Sequence, residues 1–303
     1  MAIERSDQTP DRVRETYQGR AKGYGTHIKT YTDQTLNDIM REGLSPFPES
    51  EQPLRALDLA CGRGDGSKHL REASFDITYM DVSEAMIKKG IEKGNIPDDD
   101  RRIIIGDVQD LSGFEPGIYD VVMMRYAFHD VKDRDGFLAS THRILRLGGK
   151  AQITDMCVDE RDCRRILEEM DGIDATEGLK TEFVRQALEL YNTHHGWKVK
   201  GDPVTVWIPS RDELHARFEA AGLRDRKEGW YQSKVKSRQW FLEGQITEKR
   251  LDYLNKYFLS QTADNEPLRR VFNIRHEPME EGDSVSLDFP VTILTGTKTE
   301  FME

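Results

Sequence analysis

The chain has 303 residues, of which 37% are hydrophobic and 33% charged, the composition of an ordinary globular protein with one large domain or two small ones. Its net charge of -11 argues against sequence-independent nucleic-acid binding, which requires a basic face. No segment approaches the ~18 apolar residues of a membrane span. The polar start predicts no signal peptide, and three cysteines without a paired spacing predict a cytoplasmic setting.

The first 45 residues are predicted to contain two helices. Apolar residues recur three and four apart over residues 4–24, with Tyr17 and Tyr24 on the same face, which is typical of an amphipathic helix. A second helix is predicted over residues 32–42, opened by Thr32 or Asp33 as its cap. A linker rich in proline and acidic residues then leads to the first predicted strand.

Strands and helices alternate between residues 54 and 156. This alternation predicts a parallel sheet with helices on both faces. The predicted strands cover residues 54–60, 75–82, 101–107, 119–128 and 150–156, and the predicted helices cover residues 66–73, 83–93 and 133–145.

The alternation stops after residue 157. Beyond it, residues 159–195 are predicted to be mainly helical, and helices are predicted over residues 211–223 and 247–260. Strands are predicted over residues 226–241 and 284–298. Because proline cannot donate to a strand ladder, Pro290 predicts that the last strand lies near a sheet edge.

The first predicted strand runs into the segment LDLACGRGDGS, residues 57–67, which contains three glycines at a spacing of two: Gly62, Gly64 and Gly66. In an open parallel sheet, ligands bind at the carboxyl ends of the strands, and glycine allows a ligand to approach the backbone closely. A nicotinamide-binding loop requires glycine at the position of Ser67, so a nicotinamide oxidoreductase is disfavoured. Asp58, inside the strand, can instead receive a cationic amino group.

Two more acids end the next strands, Asp81 after the second and Asp107 after the third. Asp81 is placed to accept both hydroxyls of a ribose, and Asp107 to accept a hydrogen bond from an adenine amino group. With these residues the chain resembles the class I S-adenosylmethionine-dependent methyltransferases. The matching segments are LDLACGRG, YMDVSEAMI, IIIGDVQDL, YDVVMMRYAFHDV and LRLGGKAQITD, and the resemblance favours the small-molecule branch that includes quinone-biosynthesis methyltransferases.

The resemblance implies an α/β fold: a doubly wound, mostly parallel seven-stranded sheet with helices on both faces, an antiparallel last strand and helical cap insertions. It implies S-adenosyl-L-methionine as cofactor, S-adenosyl-L-homocysteine as product, and no metal. The implied cofactor-binding residues are Arg20, Tyr24, Asp58, Ala60, Gly62, Gly64, Asp81, Val82, Met86, Gly106, Asp107, Val108 and Arg125.

His129, just after the fourth predicted strand, is the candidate acid–base residue, because histidine titrates near neutral pH. A purely structural, hydrogen-bonded histidine is the alternative. The predicted substrate contacts are Tyr17, His129, Trp197, Tyr257 and Arg275, with Phe272 also near the acceptor. For Tyr17 and Tyr24, packing in the core is the competing interpretation.

These features predict a methyltransferase that moves a methyl group by in-line displacement to a small-molecule, aromatic or heterocyclic, natural-product-like acceptor. The alternative is a regulatory or scaffold protein that binds the cofactor without methyl transfer. The methylated atom, O, N, C or S, is left open.

The predicted domain organisation has six segments: an N-terminal helical lid, a cofactor-binding core, a helical cap insertion, a return to the core, a second helical insertion and a terminal core strand. Their bounds are 1–45, 46–157, 158–205, 206–243, 244–283 and 284–303. The second insertion is predicted to close the substrate pocket, and an interface in a homodimer is the alternative use of its apolar helix face.

Overall fold

The computed structural model describes residues 14, 33–47, 50–156, 198–199, 202–203, 210–236, 269, 273–277 and 284–300. Its helices are α1 (Gln34–Leu44), α2 (Lys68–Glu72), α3 (Glu84–Glu92), α4 (Arg134–Ile144) and α5 (Arg211–Ala220), with short 3-10 helices at Asp100–Arg102 and Phe128–Asp130. Its strands are β1 (Arg55–Leu59), β2 (Asp76–Asp81), β3 (Ile103–Ile105), β4 (Tyr119–Arg125), β5 (Leu145–Met156), β6 (Lys198–Val199), β7 (Asp202–Pro203), β8 (Leu223–Lys236), β9 (Arg275–Glu277) and β10 (Ser284–Lys298).

The main sheet has the strand order β3-β2-β1-β4-β5-β10-β8. Strands β1 to β5 pair in parallel, whereas β10 runs antiparallel to both β5 and β8. The predicted seven-stranded, mostly parallel sheet is therefore confirmed, and the short β9 adds an eighth strand beside β10. The chain crosses from β2 and β3 on one side of β1 to β4 on the other, which makes the carboxyl end of β1 the topological switch point.

The last strand is not at the sheet edge, contrary to the prediction from Pro290. Strand β10 lies between β5 and β8. Its pairing with β5 starts at Val291, so Pro290 is paired with Gln232 of β8 but not with β5. Proline is tolerated there because one side of the strand is locally unpaired, as it is on a true edge strand.

Each face of the sheet is covered by an apolar cluster. One cluster contains side chains of α4 and α5, among them Phe137 and Phe218. The other contains residues of α1, α2 and α3, among them Leu36, Leu70 and Ile87. The two faces confirm the predicted layering of helices on a central sheet.

Helix α1 begins at the predicted cap, since the Asp33 carboxylate accepts a hydrogen bond from the backbone N–H of Thr35 at 2.8 Å. The predicted helices over residues 159–195 and 247–260 lie outside the described residues, and of the helix predicted over residues 4–24 only Arg14, which is helical, is described. Within the part of the chain that the structure describes, no helix has the length and apolar character needed to cross a membrane.

Candidate functional site

Strand β1 places Asp58 near its carboxyl end, at the switch point. The Asp58 side chain is buried and accepts a short hydrogen bond from the Ser67 hydroxyl. Burial raises the pKa of Asp58 to about 7, although the hydrogen bond from Ser67 and the charge of Arg71 favour the ionised form. A cationic group brought beside this carboxylate would therefore restore its full charge.

The glycine loop curls through left-handed backbone conformations at Ala60, Gly62 and Gly64, with φ angles of 54°, 54° and 71°. A Cβ atom at Gly62 would meet only the Met86 Cε atom, at 3.4 Å. A Cβ atom at Gly64 would lie 2.7 Å from the Ile96 Cγ1 atom. Gly62 thus faces open space, whereas Gly64 packs tightly against the chain after α3.

Asp81 ends β2 and is held by backbone donors. Its Oδ2 atom accepts the Gly62 N–H at 2.7 Å, and its Oδ1 atom accepts the Ser83 N–H at 2.8 Å. Burial raises the pKa of Asp81 against the effect of these hydrogen bonds. A carboxylate offers about four lone-pair positions, so both oxygens can still accept one more hydrogen bond each.

After β3, the backbone N–H of Gly106 donates to the Asp81 carbonyl at 3.0 Å. The Asp107 carboxylate turns to its own loop and accepts the Gln109 N–H at 3.0 Å. Val108, the next residue, faces the cavity described below.

After β4, the chain makes an abrupt turn at Tyr126, a non-glycine residue with a φ angle of 55°. Its N–H donates to the Thr154 carbonyl of β5 at 2.7 Å, which fixes the turn. The Arg125 guanidinium carbon lies 5.3 Å from the centre of the Tyr126 ring, within the range of a cation–π contact. A left-handed tyrosine costs ~1–3 kcal/mol and is typical of functional sites.

The His129 ring lies between the carboxylates of Asp155 and Asp130. Its Nδ1 atom lies 2.9 Å from Asp155 Oδ1, its backbone N–H donates to Asp155 Oδ2 at 2.9 Å, and its Nε2 atom lies 3.6 Å from Asp130 Oδ2. Burial alone favours the neutral ring, but Asp155 and then Asp130 outweigh it and raise the pKa of His129 to about 9.

These loops line an open cavity at the carboxyl ends of β1, β2 and β4, the place where open α/β sheets bind ligands. Of the predicted cofactor residues, the structure brings together eight around it: Asp58, Ala60, Gly62, Asp81, Val82, Met86, Val108 and Arg125. Gly64, Gly106, Asp107 and His129 are not among its lining residues. Arg275 is exposed on β9, and the predictions for Tyr17, Arg20, Tyr24, Trp197, Tyr257 and Phe272 lie outside the described residues.

The cavity is also lined by residues that were not among the predicted cofactor contacts: Cys61, Arg63, Asp65, Gly66, Tyr126, Ala127 and Asp130. Tyr126, Ala127 and Asp130 belong to the segment after β4, and their position at a strand end was a usable signal. Asp155, the partner of His129, gave no such signal, because the contact depends on the pairing of β4 with β5.

The residues that line the cavity fit a cationic cofactor that carries a ribose. Asp58 and Asp81 are buried acids that line one cavity, and a buried acid without a cation is costly. The space in front of Gly62 leaves its backbone accessible. Among the described residues, no group of three His, Cys, Asp or Glu side chains could hold a metal ion. The absence of a metal requirement stays a prediction.

Sequence comparisons match this site to methyltransferases. A family profile described as a methyltransferase domain matches residues 57–153. The ubiquinone/menaquinone biosynthesis C-methyltransferase UbiE of Shewanella halifaxensis is 23% identical over 214 residues, covering 62% of this chain and 76% of the relative. The phthiotriol/phenolphthiotriol dimycocerosates methyltransferase 1 of Mycobacterium ulcerans is 34% identical over 104 residues, covering 34% of this chain and 37% of the relative.

Solved structures share the fold. The YcgJ protein from Bacillus subtilis superposes with a TM-score of 0.60 at 18% identity, covering 89% of this chain and 100% of that one. The geranyl diphosphate C-methyltransferase from Streptomyces coelicolor, solved with S-adenosyl-L-homocysteine, gives a TM-score of 0.52 at 12% identity, covering 97% and 100%.

Proposed function

We propose that this class I S-adenosylmethionine-dependent methyltransferase, which resembles quinone-biosynthesis enzymes, methylates a small-molecule acceptor that is aromatic or heterocyclic and natural-product-like. The observation that carries the proposal is that Asp58, Asp81 and the segment after β4 line the same cavity. One cavity can then hold the cofactor beside its acceptor. The name of the UbiE relatives, which refers to quinone biosynthesis, supports an aromatic acceptor.

In this proposal the cofactor is held by both buried acids. Asp81 accepts the ribose hydroxyls with the lone pairs that its backbone donors leave free. Asp58 pairs with the cationic amino group of the methionine part. Asp107 and Val108 lie on the adenine side, and Arg20 and Tyr24 approach from the N-terminal lid.

When bound, S-adenosylmethionine supplies a methyl group already activated by a positively charged sulfur. The protein's task is then to exclude water and to align the acceptor for in-line displacement, and positioning alone contributes ~7 kcal/mol or more. We place the acid–base function predicted for His129 in the segment after β4, where His129 lies between Asp155 and Asp130. Trp197, Tyr257 and Arg275 are the proposed acceptor contacts in the cap insertions.

We further propose a cytoplasmic enzyme that acts without nucleic acid. The 244–283 insertion closes the acceptor pocket in this proposal, and a homodimer interface is its alternative use. Size-exclusion chromatography coupled to light scattering, on the full chain and on a variant with 244–283 replaced by a short turn, separates the two. A shortened monomer with full turnover would contradict the cap.

The experiment for the main proposal measures cofactor binding and product formation together. At a hundredfold excess over the dissociation constant, S-adenosylmethionine and its demethylated product should each stabilise the fold by about 2.7 kcal/mol. Formation of S-adenosyl-L-homocysteine is then followed with a panel of phenols, quinols and nitrogen heterocycles. Asp81→Ala should weaken cofactor binding by roughly 1–3 kcal/mol, because a desolvated ribose contact is lost.

Absence of a melting shift with either compound would refute cofactor binding. Cofactor binding without product formation from any acceptor, or from cell extract, would instead favour a regulatory or scaffold protein. Activity that a chelator abolishes and magnesium or zinc restores would contradict the predicted absence of a metal.

A further inference from the structure

The segment after β4 contains two ionisable residues in succession, and only one of them faces the cavity. Resting on the proposed function, we propose that Asp130 is the catalytic residue that contacts the acceptor. It binds the hydroxyl or N–H of a protic acceptor, and His129 and Asp155 are positioning residues behind it. The acceptor class is therefore a compound that carries an O–H or N–H at the methylated atom.

The local geometry separates the roles of the two residues. The 3-10 helix Phe128–Asp130 turns consecutive side chains in different directions, and Asp130 lines the cavity while His129 does not. Asp155 fixes His129 twice, through the ring Nδ1 atom and through the backbone N–H, both at 2.9 Å. The remaining ring nitrogen, Nε2, is therefore left on the side of Asp130, 3.6 Å from its Oδ2 atom.

The charges around the ring argue that His129 is a cation. Asp155 approaches it from β5 and Asp130 from its own turn, while Arg134 of α4 donates to the His129 carbonyl at 3.4 Å and opposes the ring charge. The two acids prevail and raise the pKa of His129 to about 9. A protonated imidazole cannot accept a proton, so the cavity-facing carboxylate is the remaining acceptor of hydrogen bonds.

The reaction step then balances as follows. The acceptor O–H or N–H donates a hydrogen bond to the Asp130 carboxylate, which orients the lone pair of the nucleophile. As the new bond from oxygen or nitrogen to the methyl carbon forms and the carbon–sulfur bond breaks, the acceptor proton moves to Asp130 and from there to solvent. The His129 imidazolium keeps its proton throughout. It orients the Asp130 carboxylate and takes no part in the proton transfer.

The test uses the full-length enzyme loaded with S-adenosyl-L-homocysteine and two probes with the same ring and the same oxygen positions, hydroquinone and 1,4-dimethoxybenzene. Only hydroquinone can donate a hydrogen bond. Wild type should bind hydroquinone at least tenfold more tightly, and Asp130→Asn, which keeps only an uncharged and therefore weaker acceptor, should reduce this preference about fivefold. Asp110→Asn is the matched control, because Asp110 is an exposed loop acid outside the cavity lining, and it should keep the full preference.

Cofactor affinity of Asp130→Asn should stay within twofold of wild type, which separates this proposal from the proposed function. Failure of wild type to bind S-adenosyl-L-homocysteine would overturn the proposed function itself. Equal binding of both probes by wild type, or an unchanged preference in Asp130→Asn, would overturn the role of Asp130 alone.

A second measurement tests the positioning role. The ring of His129, followed by NMR of isotope-labelled protein, should stay protonated through pH 8 in wild type and titrate at lower pH in Asp155→Asn. His129→Gln should reduce the hydroquinone preference about twofold to threefold, less than Asp130→Asn does. A neutral His129 ring at pH 7, or a larger loss in His129→Gln than in Asp130→Asn, would make His129 the contacting residue and overturn the proposal.

Discussion

Asp58 is a buried carboxylate whose charge at neutral pH depends on what lies beside it. Burial raises its pKa to about 7 in the free protein, so a cationic cofactor should bind preferentially to its ionised form. We expect affinity for S-adenosylmethionine to fall below pH 7, by up to about tenfold per pH unit. Calorimetric titrations between pH 5.5 and 8 measure this dependence.

The Asp58→Asn variant should bind the cofactor more weakly at pH 8 and lose most of this dependence. S-adenosyl-L-homocysteine keeps the amino group but lacks the sulfonium, so it should show the same dependence as S-adenosylmethionine. A dependence seen with S-adenosylmethionine alone would place Asp58 on the sulfonium side and contradict the amino-group contact.

The glycines at 62 and 64 look equivalent in the sequence but have different surroundings. In Gly64→Ala the new Cβ atom would lie 2.7 Å from Ile96 Cγ1, and overpacking of this kind costs roughly 1–3 kcal/mol in addition to the left-handed backbone. In Gly62→Ala nearly the whole cost is the ~1–2 kcal/mol of holding alanine in a left-handed backbone conformation. Urea denaturation without cofactor should therefore show a larger loss for Gly64→Ala.

Cofactor titration completes the comparison of the two glycines. Because Gly62 lines the cavity and Gly64 does not, Gly62→Ala should weaken cofactor binding more than Gly64→Ala does. A larger stability loss in Gly62→Ala than in Gly64→Ala would contradict the packing argument.

At the scale of single residues, the sequence identified the acids at the strand ends but not the backbone turns between them. Ala60 and Tyr126 adopt left-handed conformations without being glycine, and no local sequence rule predicts this. The strand predicted over residues 119–128 therefore ends at Arg125. The contact of His129 with Asp155 was also beyond local reasoning, since it requires the register of β4 and β5.

Helix α1 is attached to the sheet by polar contacts as well as by its apolar face. The buried Gln152 side-chain amide donates to the Met40 carbonyl at 2.8 Å and to Thr295 Oγ1 at 3.0 Å. Lys150 reaches the last carbonyl of the helix, that of Leu44. Lys150 thereby satisfies a carbonyl that the helix end leaves unpaired, and Gln152 links the Met40 carbonyl to the side chain of Thr295 on β10.

Replacing Gln152 by leucine should destabilise the fold by roughly 1–3 kcal/mol, because it leaves buried polar atoms without a partner. The Gln34→Leu variant is the matched control, since Gln34 is an exposed glutamine at the start of α1. Its free energy of unfolding should stay within about 0.5 kcal/mol of wild type. Chemical denaturation of both variants decides, and equal effects would contradict the buried attachment.

At the scale of elements, prediction succeeded where period and turn signals agreed. The alternation between residues 54 and 156 gave β1 to β5 in order, because each strand is apolar and bounded by polar or glycine turns. It failed for the position of β10, because the rule for proline describes the local pairing of a strand and not its place in the sheet. Only the strand order shows that β10 is internal.

For the whole molecule, three buried groups with strongly shifted pKa values make opposing contributions to the pH dependence of stability. Burial, together with Arg125, lowers the pKa of His69 from 6.5 to about 3, so its contribution is present above pH 6.5 and is lost as pH falls toward 3. The pKa of His129 is raised from 6.5 to about 9, so its contribution is present below pH 6.5 and is lost as pH rises toward 9. The pKa of Asp58 is raised from 3.8 to about 7, so its contribution to stability is present below pH 3.8 and is lost as pH rises toward 7.

Between pH 4 and 6.5 the contributions of His69 and Asp58 have opposite slopes, each roughly 1.4 kcal/mol per pH unit, and largely cancel. The His69→Gln variant should remove one slope, so the free energy of unfolding should fall with rising pH across this range relative to wild type. Asp58→Asn should show the reverse. Above pH 7 only His129 still titrates among the three, so wild type should lose up to roughly 3 kcal/mol toward pH 9 and His129→Gln should lose much less. Urea denaturation of the cofactor-free proteins from pH 4 to 9 measures all four curves, and a His129→Gln curve parallel to wild type above pH 7 would contradict the raised pKa of that histidine.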